Sequence, residues 1–178
     1  MQYDNTDVRR RDRLMPEEQA LRLLREGEYG YLSMADAGGE PYGLPISYVW
    51  DEAAGNVVYL HCAPEGRKLR VLAERPDVSF CVVGRTQVIP QRFTTAYESL
   101  VARARATVVA GDDERWHAVQ LILQKYSPQY VALGSKYARA SLPRTAIIRL
   151  DLLSLSGKRK VVGQPAPADP TKQRIEKI

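Results

Sequence analysis

Hydrophobic and polar positions alternate along much of the chain, and the alternation predicts a mostly β protein. The clearest case is 99–109, where Ala102, Ala104 and Ala106 share one face while arginine and threonine side chains share the other. Strict alternation indicates a strand with one buried face. Shorter apolar runs bounded by turn residues predict five more strands, at 28–34, 42–50, 57–62, 78–83 and 145–155.

Helical patterns fall between these strands. In 16–27, Pro16 and two acidic residues suit a helix start, and Gly27 suits its end. Further helices are predicted at 67–73, 111–125 and 129–137. Trp116 lies on an apolar stripe and is expected to be core. Because strands and helices do not alternate regularly, the pattern favours a β-barrel with peripheral helices and about six antiparallel strands.

The chain is predicted to form a single domain at 14–161, between a flexible basic N-terminal arm (1–13) and a loose C-terminal tail (162–178). Inside the second strand, Pro45 predicts an edge or a bulge, because proline cannot donate to a ladder. Residues 84–95 show no regular pattern.

Composition narrows the class of protein. With 178 residues, 44% of them hydrophobic, the chain can bury a substantial core. It has no secretory signal and no apolar run near the roughly 20 residues that span a bilayer, so a cytoplasmic protein without membrane contact is expected. Cys62 and Cys81 are expected to be buried thiols. With only two histidines, a metal site is not favoured.

The net charge of +5 suits anionic ligands in general. Some of the cations are concentrated in Arg9–Arg13 and in Lys158–Lys160. Neither run carries a helix-turn-helix, zinc-finger or RNA-recognition signature, so nucleic acid is not expected as a partner. A solvated arm accounts better for the first run.

The segment Tyr59–Lys68 carries the strongest chemical signal. Its apolar run ends on His61, a turn with proline and glycine follows, and a helix opens on Arg67 and Lys68. Free N–H groups and partial positive charge at a helix start bind phosphate. A phosphate-bearing ligand is therefore one interpretation, and an ordinary loop with solvated basic residues is the other.

Four more segments accompany this one in a set order: Pro41–Trp50, Phe93–Ser99, Lys125–Pro128 and Ser156–Lys160. Together they resemble the flavin-binding split-barrel proteins related to pyridoxamine 5′-phosphate oxidase, and within them the 5-nitroimidazole reductase (nitroimidazole-resistance) group. The resemblance covers about 10–161. It implies a split barrel and a homodimer with FMN at the subunit interface.

The resemblance also implies which residues hold the cofactor. The FMN ring would lie along a strand composed of Leu44, Pro45, Ile46, Ser47 and Tyr48. The phosphate would be held by a block that includes His61, Cys62, Ala63, Gly66, Arg67 and Lys68. Alternatively, Ser47 faces water and Cys62 is core. Family members often differ at the position of Arg67.

Two further pairs are implied near the cofactor. Tyr97 and Ser99 match a segment that approaches the flavin from the partner subunit or shapes the dimer floor. Lys158 and Arg159 belong to a Ser-Gly-Lys turn that comes near the phosphate after the last strand. Alternatively, Tyr97 and Ser99 only form the start of a strand, and Lys158 and Arg159 lie in a solvated basic loop.

The chemistry that the resemblance implies is that of FMN. Electrons would pass from transiently bound NADH or NADPH, through FMN, to a small-molecule substrate such as a nitroimidazole. His61 is the candidate catalytic side chain. No G-x-G-x-x-G, Ser-His-Asp or paired-carboxylate pattern suggests another reaction. The alternatives are a pyridoxamine-phosphate-oxidase-like enzyme, which needs a second phosphate site, and a non-catalytic protein that binds FMN or haem.

Overall fold

A computed structural model describes residues 1–163, in which a closed β-barrel carries helices on its outside. The strands are β1 (Gln2–Tyr3), β2 (Tyr29–Ala35), β3 (Pro41–Asp51), β4 (Val57–Cys62), β5 (Asp77–Ile89), β6 (Thr94–Val108) and β7 (Ala146–Lys160). The helices are α1 (Glu17–Glu26), α2 (Arg67–Glu74), α3 (Asp112–Tyr126) and α4 (Val131–Ser141). No helix within this part of the chain is both long and apolar enough to cross a membrane.

The sheet order is β1-β7-β4-β3-β2-β5-β6, and a further pairing of β6 with β7 closes the barrel. All pairings among β2 to β7 are antiparallel, and only the short β1 runs parallel to its neighbour β7. The predicted barrel of about six antiparallel strands with peripheral helices is therefore confirmed.

The core has two layers because β3, β4 and β7 bury both of their faces. Side chains such as Tyr48, Leu60 and Phe80 point into the barrel and are fully buried. Their neighbours Val49 and Tyr59 point outward and pack under α3. This double burial explains why β4 is apolar along nearly its whole length.

Three elements are longer than their sequence patterns indicate. β5 continues past a register shift at Val83/Thr86 to Ile89, and β6 already begins at Thr94, so most of 84–95 forms the two arms of a hairpin. The predicted turn at Ser156–Lys158 is wrong, because these residues lie within β7. Glycine occurs there because a Cβ on Gly157 would come within about 3 Å of Ala20 and Met15.

The N-terminal segment lies along the barrel. β1 pairs with β7, the Tyr3 hydroxyl donates to the Met15 carbonyl, and Val8 is buried. The predicted C-terminal tail falls outside the described residues, except for residues 162 and 163.

Trp116 is not a core residue, contrary to the prediction. It is only partly buried, and the guanidinium of Arg139 on α4 lies 4.2 Å from its ring centre. The face of α3 that meets the barrel is instead formed by Ala118, with Val119 and Ile122 beside it.

Candidate functional site

The strand β3 changes its pairing partner partway along its length. β4 pairs with residues 48–51 of β3, whereas β2 pairs with residues 41–47. Residues 41–47 therefore form a local edge, although β3 lies between β4 and β2 in the sheet order. An unpaired strand edge offers N–H and C=O groups to whatever lies beside it.

Three residues of β3 direct their backbone groups to this open edge. Backbone groups of successive residues point to opposite sides of a strand, and those of Tyr48 point to Tyr126, on the β2 side. Gly43, Pro45 and Ser47 therefore face the side that β4 has left. Because Pro45 lies on this local edge, its missing N–H costs the barrel no ladder hydrogen bond.

The side chains of the predicted ring-binding strand divide between two surfaces. Leu44 and Ile46 pack against the barrel core, and Tyr48 is fully buried in it. Pro45 is exposed and Ser47 half-buried on the outer face. A flat ligand along this edge would thus meet backbone groups and small outer side chains, while the inward residues hold the strand in place.

The C-terminal end of α3 hydrogen-bonds to β3 and to the residues just before β2, next to the open edge. The Tyr126 hydroxyl accepts from the Tyr48 N–H at 2.9 Å and lies 2.7 Å from the Tyr48 carbonyl oxygen and 2.5 Å from that of Glu28. Lys125 donates to the Gly27 carbonyl at 2.7 Å, and its Nζ lies 3.8 Å from the centre of the Tyr48 ring. Burial lowers the pKa of Lys125 to about 8.

The turn before α2 forms the second part of the site. Gly66 has φ +138°, which favours glycine, and a Cβ there would meet nothing within 4 Å. Within the described residues no side chain caps α2, so the N–H groups of its first turn are available to an anion. Partial desolvation, and secondly the charge of Lys68, lower the pKa of the exposed His61, so its imidazole is neutral at pH 7.

Two members of the predicted phosphate block have other contacts. The Arg67 guanidinium lies 2.8 Å from a Glu40 carboxylate oxygen and 4.5 Å from the centre of the Tyr42 ring. A role for Arg67 at a phosphate stays a prediction. Lys68 is the cation close to His61. Cys62 packs against the barrel core, with its thiol free.

A second group of predicted residues lies at the opposite end of β7: Tyr97, Ser99, Lys158 and Arg159. Ser99 pairs with Lys158 near the end of β7, whereas His61 pairs with Ile147 near its start. Within one subunit the structure therefore does not bring the two groups together.

A cavity of about 340 Å³ lies beside this second group, under the N-terminal segment. Its lining combines two cations, Arg103 and Lys158, with several hydroxyl groups, and Asp4 and Asp7 lie on the covering segment. Arg159 points elsewhere and hydrogen-bonds to Gln19.

Apolar side chains are exposed on the outer face of the barrel between the two groups. Tyr29, Tyr31, Val83 and Val101 are each between 44% and 57% exposed. Tyr31 and Val101 both pair with Cys81 of β5, so they lie at the same level on the two strands that flank β5. Exposed apolar patches of this kind mark interaction surfaces.

The sequence did not reveal the contribution of Lys125 and Tyr126. Both belong to one of the segments that carry the family resemblance, but their position between β2 and β3 depends on how α3 packs. An aromatic hydroxyl and a lysine at the end of an amphipathic helix were the only signal available.

A family model described as pyridoxamine 5′-phosphate oxidase matches residues 16–159. No curated protein sequence matches the chain. Among solved structures, the chain is similar to a putative 5-nitroimidazole antibiotic resistance protein from Bacteroides thetaiotaomicron, with 17% identity, 83% of this chain and 86% of that chain covered, and a TM-score of 0.65.

Two other similar structures differ in what their descriptions say they bind. An FAD- and haem-binding protein from Mycobacterium smegmatis shares 20% identity over 88% of this chain and 76% of its own, with a TM-score of 0.68. A haem storage protein from Vibrio cholerae shares 22% identity over 80% of this chain and 94% of its own, with a TM-score of 0.58. At these identities the likeness shows a shared fold.

Proposed function

The chain belongs to the pyridoxamine 5′-phosphate oxidase family, and from this premise we propose that it is an FMN-dependent oxidoreductase. Its substrate would be a small oxidant such as a nitroimidazole, and its reductant NADH or NADPH. When bound, the flavin supplies two-electron chemistry that no side chain provides. The rest of the proposal concerns what the residues of this chain do.

The observation that carries the proposal is the open edge of β3 beside the uncapped start of α2. The N–H and C=O groups of Gly43 and Ser47 suit the polar rim of a flavin ring, which offers both donors and acceptors. The first-turn N–H groups of α2 and the ammonium of Lys68 suit its phosphate. The two parts of FMN therefore find matching chemistry in adjacent parts of the barrel.

We propose that a second copy of the chain covers the outer face with Tyr29, Tyr31, Val83 and Val101. Such a homodimer would remove exposed apolar surface from water. It would also offer a route by which the group around Ser99 and Lys158 reaches the cofactor of the other subunit. Light scattering of the FMN-loaded protein tests this, and a monomer that holds stoichiometric FMN would refute it.

The first experiment on the cofactor is an absorbance spectrum, followed by mass identification of the chromophore released by heat. A flavin spectrum with FMN released supports the proposal. A Soret band would favour the haem-binding alternative, for which His61 is the candidate ligand. A colourless protein that takes up no added FMN would refute the cofactor assignment.

Lys68→Ala tests the phosphate assignment. Loss of one charge-assisted contact is expected to weaken FMN binding by about 1.5–3 kcal/mol, or roughly ten- to a hundredfold in Kd. Lys136→Ala, an exposed lysine on α4, is the matched control and should leave Kd unchanged. Equal FMN affinity in wild type and Lys68→Ala would show that the phosphate binds elsewhere.

The second candidate function is oxidation of an amine phosphate such as pyridoxamine 5′-phosphate. The cavity with Arg103 and Lys158 favours it, because that reaction needs a second phosphate site. Turnover of pyridoxamine 5′-phosphate with uptake of O₂ and release of the aldehyde would establish this function. NAD(P)H-dependent reduction of a nitro-aromatic without amine turnover would establish the first.

A further inference from the structure

We propose that the groove between α3 and α4 is a binding site for a small uncharged ring, with His61 at its mouth. The groove has a volume of about 140 Å³ and lies beside the end of β4. The inference deepens the proposed function, because it names the chemical class of the oxidant. It rests on the proposed function for its redox assay.

The lining of the groove is almost entirely carbon. Val119, Ile122 and Leu123 line it from α3, and Ala138 and Leu142 line it from the side of α4. No lining residue is charged at neutral pH, although 26% of the chain is charged. A charged ligand would lose its hydration there without gaining a partner, so the groove selects uncharged ones.

The volume fits a single ring. A cavity of about 150 Å³ lined by aliphatic and aromatic side chains binds benzene in another protein. A groove of about 140 Å³ therefore encloses one five- or six-membered ring, and a fused system exceeds this volume. Haem and the flavin itself are too large for it.

Small residues on α4 create this space. Gly134 and Ala138 are four residues apart, so they lie on one face of the helix and both line the groove. A Cβ on Gly134 would come within 2.7 Å of Leu123 on α3. Any larger side chain at these positions would fill the space that a ring would occupy.

Two polar side chains of the lining, His61 and Tyr137, are left for a ligand. The hydroxyls of Ser141 and Thr145 donate to the carbonyls of Ala138 and Ser141, at 3.2 and 3.0 Å. His61 is exposed, and within residues 1–163 no side chain or backbone group hydrogen-bonds to its imidazole. The ring nitrogens of a neutral imidazole include one donor and one acceptor, which suits a nitro group or a ring nitrogen.

His61 also connects the groove with the proposed flavin edge. It directly follows Leu60, the β4 residue that pairs with Tyr48 at the point where β4 and β3 separate. A ring held against His61 would therefore lie next to the open edge. The proposed function requires the oxidant to receive electrons at this place.

The test is ligand-observed NMR on the FMN-loaded protein with nitrobenzene, and with 4-nitrobenzoate as the charged match. Wild type is expected to bind nitrobenzene saturably and 4-nitrobenzoate not at all. Ala138→Leu fills the groove and should abolish nitrobenzene binding. Ala140→Leu, the same change at an exposed position of α4, should retain it. Circular dichroism and FMN content check that each variant folds.

A second variant keeps the test decisive if Ala138→Leu fails to fold. Leu142→Ala enlarges the groove and should admit 1-nitronaphthalene, which wild type excludes. Retained nitrobenzene binding in folded Ala138→Leu, equal binding of the two wild-type probes, or an unchanged size limit in Leu142→Ala would overturn the proposal. So would a nitrobenzene signal that disappears as protein concentration rises, because a second copy would then fill the groove.

Reduction assays separate the two proposals. If nitrobenzene binds in the groove but NADH and NADPH do not support its reduction, the proposed function fails and the groove assignment stands. If reduction proceeds with the same KM in wild type and folded Ala138→Leu, the groove assignment fails and the proposed function stands.

Discussion

Replacing Tyr126 with phenylalanine removes one oxygen atom and disconnects β3 from the start of β2. The hydroxyl is the hydrogen-bond partner of both backbone groups of Tyr48, a residue with no exposed surface, and it also contacts the exposed Glu28. Each buried group left unpaired costs about 1–3 kcal/mol. Two such groups set a range of about 2–6 kcal/mol. Because Tyr126 is only partly buried, water relieves some of this cost, and about 2–3 kcal/mol is expected.

Urea unfolding followed by tryptophan fluorescence measures the loss. For a chain of this size, each kcal/mol corresponds to about 2–4 °C in Tm, so thermal unfolding offers a second reading. Tyr137→Phe is the control, because Tyr137 is 74% exposed, and it should change stability by less than about 0.5 kcal/mol. An equally small change in Tyr126→Phe would show that the hydroxyl does not join the strands.

Three further perturbations have a defined direction. Lys125→Met should remove a rise in stability with pH: the folded pKa of about 8 is below the ordinary value of about 10.4, so between these pH values the unfolded chain binds more protons. Urea midpoints at pH 8 and 10 test this, and an equal rise in both proteins would contradict it. Burial raises the pKa of Asp51, but hydrogen bonds, chiefly from His117 at 2.7 Å, outweigh burial and lower it. The stabilisation by the Asp51 carboxylate is therefore present above about pH 3.9 and is lost as the pH falls further. Asp51→Asn should show a smaller fall in Tm between pH 5 and 3 than wild type, and an equal fall would contradict the role of this contact. Gly30→Ala places a Cβ against the buried Phe80 ring and should cost about 1–3 kcal/mol in urea unfolding, whereas a neutral result would mean that the ring moves freely.

The barrel is predictable from the sequence where burial leaves a pattern. The run 57–62 predicts β4 to the residue, because both of its faces are buried. The arms of the β5–β6 hairpin within 84–95 leave no such pattern, since most of their side chains are exposed and backbone pairing alone holds them. Gly157 suggests a turn from sequence alone, but in the structure the glycine allows β7 to pack closely against α1.

The candidate site is predictable only in part. The strand, turn and helix that bring His61 and Lys68 together are consecutive in sequence, so local patterns describe them. The open edge arises because β4 stops pairing with β3 after Leu60. Next to this edge, Tyr48 hydrogen-bonds to Tyr126, which is 78 residues away in the sequence. Both depend on packing between distant segments, which periodicity does not record.

The position of β7 has a consequence for the order of events during synthesis. It pairs with β1, β4 and β6, so the barrel has no closed form until Ala146–Lys160 has been made. At about 5–20 residues per second, the nascent chain carries β2 to β4 as an open sheet for several seconds. Pairings this distant along the chain also fold slowly once complete. A chain that ends before β7 would therefore expose the unpaired edges of β4 and β6.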